Sequence, residues 1–182
     1  MPSPGLRWRH VTLNVKYRWL PGDSRGFRSR GHRIHSSGDY KHPPPVGEHA
    51  GLQRYNKETA GDSRKIPRRL RERMGLAILQ KLHQLGFRVL VISVSSDHVH
   101  LLVELPYDLK AVKRIIGQCK GFASHEVTED LPGQIWAEGG DFKLVNDRAH
   151  HERAFYYIRD KQGEGAWTWT FKDSHRASNP ST

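Results

Sequence analysis

The sequence predicts an α+β fold: one central antiparallel sheet with helices packed on it. Two observations lead there. Short runs with strand-like alternation are separated by amphipathic helices, each with a single apolar stripe. Two of those runs also follow each other so closely that they must form an antiparallel hairpin at the centre. At 182 residues, 36% of them hydrophobic, the chain can fold as a single domain with polar loops.

The first run, "RHVTLNVKYRW" at 9–19, alternates Val11, Leu13, Val15 and Tyr17 against polar neighbours. Residues 21–63 are rich in Gly, Pro, Ser and His, including "HPPP" at 42–45, and read as an irregular, basic insertion that is partly disordered. The first helix is "SRKIPRRLRERMGLAILQKLHQLG" at 63–86, with Pro67 suited to its first turn and Gly86 to its C-terminal cap. Leu70, Met74, Ile78, Leu82 and Leu85 form its apolar stripe, while Arg68, Arg69, Arg71 and Arg73 crowd an end where the helix dipole disfavours cations. "FRVLVISVS" (87–95) and "HVHLLVEL" (98–105) make the hairpin. The second helix, 108–127, takes Asp108 as N-cap and buries Leu109, Val112, Ile116, Cys119 and Ala123, so Cys119 is a core residue. Strand-like pieces at 133–145 precede a third helix, "DRAHHERAFYYIRDKQ", capped by Asn146 or Asp147 and ending at Gly163. "AWTWTF" then reads as an edge strand, and "SHRASNPST" as a disordered end. The domain spans 1–162 with the insertion at about 21–63, and 163–182 form a C-terminal extension. The order β–α–β–β–α–β–α belongs to ferredoxin-like or RNA-recognition-like sandwiches.

Charge is unevenly placed. Residues 1–73 hold 17 Lys/Arg and 6 Asp/Glu, whereas residues 74–182 hold 13 of each, so the whole net charge of +11 sits in the first part. Such a region attracts polyanions, nucleic acid first and anionic membrane surfaces second. Stacking of Trp167 and Trp169 on unpaired bases is a further possibility beside their docking on the core. The single cysteine excludes an internal disulfide and suits a reducing cytoplasm. The N-terminal "MPSPGLRWRH" shows no signal-peptide run, and no 18 consecutive apolar residues occur, so no membrane span is expected.

Chemistry concentrates at "SSDHVHLLVEL". Side chains two apart on a strand share a face. His98, His100, Leu102 and Glu104 therefore stand opposite the apolar set Val99, Leu101, Val103 and Leu105, which must face the core. The two imidazoles are close enough to chelate one divalent ion, but an H-x-H pair needs a third ligand and a chemical partner. Glu104 lies far along the strand and Asp97 points to the other face unless the turn swings it round. The third helix offers "YYIRDKQ", with two tyrosines, a carboxylate and an amide within two turns. A tyrosine beside a metal can attack as its phenolate while the ion polarises a phosphodiester. On spacing alone, ordinary helix packing is the better explanation of Tyr156 and Tyr157.

"DHVHLLVELP", a helix containing "CKGFASHE", then "IWAEGGDF" and a late "YYI", with "HVTLNVKYR" at the start, resemble the single-tyrosine transposases of the insertion-sequence 200-like type. These belong to the His-hydrophobic-His superfamily of single-strand nucleases and include the repeat-associated tyrosine transposases. The resemblance covers residues 9–20 and 64–162. It implies that His98 and His100 bind Mg²⁺ or Mn²⁺, and that Tyr157 attacks the scissile phosphate to leave a 5′-phosphotyrosine and a free 3′-hydroxyl. It also implies a homodimer acting on single-stranded DNA with imperfect hairpins, in a bacterial cytoplasm and on the nucleoid when DNA-bound.

Two departures stand out. Family members carry a glutamine four residues after the tyrosine as third metal ligand, and here that position is Lys161. On a continuous helix Gln162 falls roughly 140° round from Tyr157, so Asp160 is the better placed, and Tyr156 stays open as an alternative nucleophile. The insertion is the second departure. With Arg68, Arg69 and Arg71, and with Lys120 on the second helix, it is expected to contact the DNA backbone. A non-cleaving nucleic-acid-binding module, such as a decayed transposase, is the alternative reading. A phosphoesterase that uses water is a third.

Overall fold

The computed structural model describes residues 2–18, 20–24, 26–27, 35–38, 42, 44–60 and 63–173. The expected disordered end at 174–182, Pro43 of the "HPPP" run, and the insertion cations Arg25, Arg28, Arg30, Arg33 and Lys41 lie outside them. The chain forms two compact units, Val15–Arg64 and a larger one made of Met1–Asn14 with Lys65–Thr182.

The smaller unit is more regular than its composition suggests. It contains helix α1 (Ala50–Ala60), which buries none of its residues. Ahead of the helix, Ser37 Oγ and N–H donate to Glu48 at 2.7 and 2.9 Å, and Phe27 meets His49 edge-on at 5.0 Å. Arg64 N–H donates to the Lys16 carbonyl at 3.0 Å, which brings the two ends of the segment together. Asn56 Nδ2 donates to the Pro21 carbonyl at 2.9 Å. Gly22 adopts φ +91°, which glycine tolerates, and a side chain there would also strike the backbone of Gln53.

The larger unit contains strands β1 (Leu6–Asn14), β2 (Val89–Val94), β3 (His98–Pro106), β4 (Asp141–Leu144) and β5 (Trp167–Thr170), and helices α2 (Arg68–Gln84), α3 (Leu109–Glu126) and α4 (Arg148–Asp160). The five strands form one antiparallel sheet in the order β4-β1-β3-β2-β5. The α+β architecture is therefore as the hydrophobic pattern predicts. β2 and β3 are the expected hairpin, closed by Ser95 N–H donating to the His98 carbonyl at 2.9 Å.

Val11, Leu13, Ile92, Val94, Val99, Leu101, Val103 and Leu105 are fully buried on one face of the sheet. Helices α2 and α3 pack on it and on each other, contributing Leu70, Met74, Ile78, Leu82, Val112, Ile116 and Cys119. Burial pushes the Cys119 thiol up to about 12, so it is an inert core residue. Asp108 caps α3 by accepting from the N–H of Ala111 at 2.8 Å, and Gly86 leaves α2 with φ +80°.

The opposite face is half covered by α4. Ala154 and Ile158, one turn apart, pack on Val91 and Leu102, with Trp8, Leu90, Val145 and Phe155 around them. Asp147, one of the two expected caps, accepts from His150 N–H at 2.7 Å and starts this helix. This docking sets where Tyr157 of α4 stands over the sheet.

Trp167 and Trp169 dock on the protein: Trp169 lies edge-on to His83 of α2 at 6.2 Å, and Trp167 covers Gly75. A methyl group added at Gly75 would fall inside the ring of Trp167. We therefore expect Gly75→Ala to cost about 1–3 kcal/mol, the usual range for overpacking. Urea unfolding measures that loss, and a native-state change in tryptophan fluorescence reports the displaced Trp167.

Candidate active site

The site grows from the pairing register of three neighbouring strands. Thr12 stands opposite His100, His10 opposite Leu102, and Trp8 opposite Glu104, so the polar residues of β1 and β3 share the α4 face. On β2, Ser93 is opposite His100. The rings of His98 and His100 are 4.7 Å apart, centre to centre.

Each imidazole is held from a different side. The turn before β3 does bring Asp97 round: its carboxylate is 2.6 Å from His98 Nδ1 and 3.7 Å from the Lys65 ammonium. A carboxylate on the far ring nitrogen orients a ligating histidine and raises its basicity. His100 is held instead by β1, with Thr12 Oγ1 and His10 Nε2 each 3.0 Å from Nδ1. Burial lowers the pKa of His10, Lys143 and His150 lower it further, and Asp141 partly opposes them.

Tyr157 projects from α4 over this cluster. Its ring lies 5.5 Å from that of His100 and 5.8 Å from that of His10, and 45% of the residue is exposed. Tyr156 turns away, edge-on to Phe155 at 5.6 Å and under the Arg159 guanidinium at 4.8 Å.

Asp160 and Gln162 exchange the positions that helical spacing suggests. Asp160 is paired with Arg159 at 2.7 and 2.9 Å, which holds its carboxylate below the usual range. Gln162 lies beyond the helix, past the cap residue Lys161. Its side-chain NH₂ donates to the Tyr157 carbonyl at 2.8 Å, and its backbone carbonyl accepts from Ser95 Oγ at 3.0 Å. These bonds leave Oε1 facing His98 Nε2 at 3.0 Å. The angle of 140° fails because the helix ends before Gln162.

The donor set fits a divalent ion. Cis ligands of an octahedral ion with bonds of about 2.0–2.1 Å stand roughly 3.0 Å apart, which is the separation of His98 Nε2 and Gln162 Oε1. Among the described residues no group of three His, Cys, Asp or Glu side chains forms a metal site, so a cation held here would rest on two imidazoles and a neutral amide.

Glu104 is not part of this set. It is fully buried and accepts from Arg88 Nε at 2.6 Å, Arg88 Nη2 at 2.8 Å and Ser3 N–H at 2.7 Å. The Arg88 bonds chiefly hold its pKa down, so its contribution to stability is complete above the ordinary glutamate value of about 4.3 and is lost as pH falls through the lower native value. We expect wild type to be more stable than Glu104→Gln at pH 7 and the gap to close in acid, read by urea unfolding at stepped pH. Solvent screening moderates the difference, because the Arg88 side chain is 58% exposed.

The basic residues expected at DNA are arranged differently from one another. Arg68 is exposed. Arg69 pairs with Asp130 at 2.5 Å beside Arg73 at 2.9 Å, and Arg71 donates to the carbonyls of Gly165 at 2.5 Å and Ile66 at 3.2 Å. Lys120 donates to the Ala137 carbonyl at 2.8 Å and to that of Gly139, tying α3 to the loop before β4, and burial lowers its pKa. His10, Thr12 and Ser95 are the site residues that sequence reasoning did not single out. The only sign of the first two was that they occupy alternate polar positions on a strand.

Fold and site together define a sheet protein that presents two histidines, an amide and a tyrosine from one face. Residues 62–161 match the family model described as "Transposase IS200 like", and the chain belongs to that family. A solved structure described as "the REP associates tyrosine transposase bound to a REP hairpin" is similar at 13% identity, with a TM-score of 0.46 over 87% of this chain and 67% of that one. No curated protein matches the sequence. No helix among the described residues is long and apolar enough to cross a membrane.

Proposed function

We propose that this transposase cleaves and rejoins single-stranded or hairpin DNA through Tyr157, with His98, His100 and Gln162 holding Mg²⁺ or Mn²⁺. The observation that carries the reading is the convergence of Tyr157, both histidines and Gln162 in one chain. When bound, the ion supplies Lewis-acid polarisation of a phosphoryl oxygen. Two imidazoles and an amide favour Mn²⁺ over Mg²⁺, which prefers oxygen ligands and retains water.

The chain's own residues do the rest. Tyr157 gives up its phenolic proton and its oxygen attacks the phosphorus. The new Tyr–O–P bond replaces the P–O3′ bond, and the departing 3′-oxygen takes up a proton. The product is a 5′-phosphotyrosine with a free 3′-hydroxyl. Attack by another 3′-hydroxyl reverses the step and joins strands, so the energy of the phosphodiester is retained. Exposure of Tyr157 leaves its oxygen open to an incoming strand, while Asp97 keeps the His98 ring in place. The exposed Arg68 and the basic segment 15–64 are suited to the DNA backbone, and a homodimer in the cytoplasm completes the proposal.

Labelled single-stranded hairpin DNA, incubated with the protein and Mn²⁺ and run on a denaturing gel, tests it. A covalent protein–DNA adduct supports the reading. Binding without an adduct marks a non-cleaving module, and cleavage that survives Tyr157→Phe marks a water-using phosphoesterase.

A further inference from the structure

We infer that Tyr156 and Phe171 form a stacking platform for unpaired bases of a DNA strand passing Tyr157, with Arg153 and Arg159 set for its phosphates. The inference rests on the single-stranded substrate proposed above, and not on the tyrosine chemistry.

Core packing does not account for these two rings. Tyr156 is 53% exposed and Phe171 38% exposed, although burial of an aromatic ring is strongly favourable. The buried contact of α4 is made instead by Ala154 and Ile158. Phe155 braces the platform: it packs against the same buried cluster, meets Tyr156 edge-on at 5.6 Å and lies 6.5 Å from Phe171. Trp167 and Trp169, the other aromatic candidates for stacking, are docked against α2.

Charge and spacing select the occupant. Arg153, Tyr156 and Arg159 are all exposed and three residues apart, which makes them neighbours on the helix surface. The stripe therefore runs cation, ring, cation. Arg159 lies over the Tyr156 ring at 4.8 Å and over the Phe155 ring at 5.7 Å. Asp160 pairs with Arg159 and fixes it there, so Arg153 is the stronger of the two toward phosphate. Asp173, close to Phe171 in sequence, accepts from Thr170 N–H at 2.6 Å. Rings that take any base, beside cations that follow the backbone, hold a single strand without reading its sequence. A duplex hides its base faces and offers such rings nothing to stack on. Tyr156 is next to Tyr157 in the chain, so bases held there flank the phosphate that Tyr157 would attack.

The test is fluorescence anisotropy with the full-length protein in EDTA. Two labelled DNA hairpins with single-stranded flanks are compared, one with normal flanks and one whose flanks carry abasic sites. Wild type should bind the first about 5–150-fold more tightly, the range for one stacked base. Tyr156→Ala should lose most of that preference, and Phe171→Ala added to it should remove the rest. Tyr156→Phe keeps the ring and should retain the preference. Arg153→Gln should weaken both probes alike and reduce the salt dependence of binding. A wild type indifferent to the abasic flanks overturns the inference even if a variant fails to fold, and so does a folded Tyr156→Ala with undiminished preference. Base preference without a covalent adduct in Mn²⁺ defeats the proposed chemistry and leaves the platform standing. An adduct without base preference does the reverse.

Discussion

Tyr157→Phe should abolish the covalent adduct, whereas Tyr156→Phe should leave it within a few-fold of wild type. Removing a nucleophile from an enzyme that forms a covalent intermediate lowers turnover by as much as about 10⁶-fold. No neighbouring group can replace Tyr157: Tyr156 faces Phe155 and Arg159, a third of a turn round the helix. The phenylalanine keeps the ring contacts with His10 and His100, so the loss belongs to the hydroxyl. Single-turnover adduct formation on denaturing gels separates the two variants. An adduct that persists in Tyr157→Phe and disappears in Tyr156→Phe would transfer the role to the other tyrosine.

Ile158→Ala should cost about 2–5 kcal/mol of stability, the range for truncating a large buried aliphatic residue, and should reduce adduct formation beyond what lost stability explains. Ile158 is fully buried against Val91 and Leu102, and with Ala154 it supplies the buried contact of α4. Tyr157 is its neighbour in sequence, and Gln162 hangs from the end of the same helix by its bond to the Tyr157 carbonyl. A shifted helix therefore displaces Tyr157 and the amide together while the histidines stay on β3. Ile116→Ala on α3 is the control. It removes an equally buried residue from the other face, so it should lower stability without a matching loss of adduct at temperatures where both variants remain folded. Equal loss of adduct in the two would show that α4 docking has no special part in placing the tyrosine.

The histidine pair was legible because a strand has a period of two. "HVHLLVEL" states in its own letters that one face is apolar and the other carries His98 and His100. Helix caps were legible for a similar reason, since Asp108 and Asp147 act on N–H groups two or three residues away. Gln162 was not, because the helical spacing that seemed to exclude it applies only as far as Asp160. A change of direction at Lys161 and Gln162 reverses the geometry of Asp160 and Gln162 without changing any local propensity. The helix inside the insertion was hidden in the same way by its polar composition, as α1 buries no residue that would mark a stripe.

By itself the sequence determined the elements of the sheet unit, most of their apolar faces and the two imidazoles that share a strand face, because these depend on periodicities of two and 3.6 residues; Leu109, expected on the buried face of α3, is exposed because it sits in the first turn. Only the tertiary structure decided which groups meet those imidazoles. His10 reaches His100 across 90 residues of chain and Gln162 reaches His98 across 64. Such encounters follow from strand order, register and the docking of α4, which are set by burial of the whole core and not by any local stretch of residues.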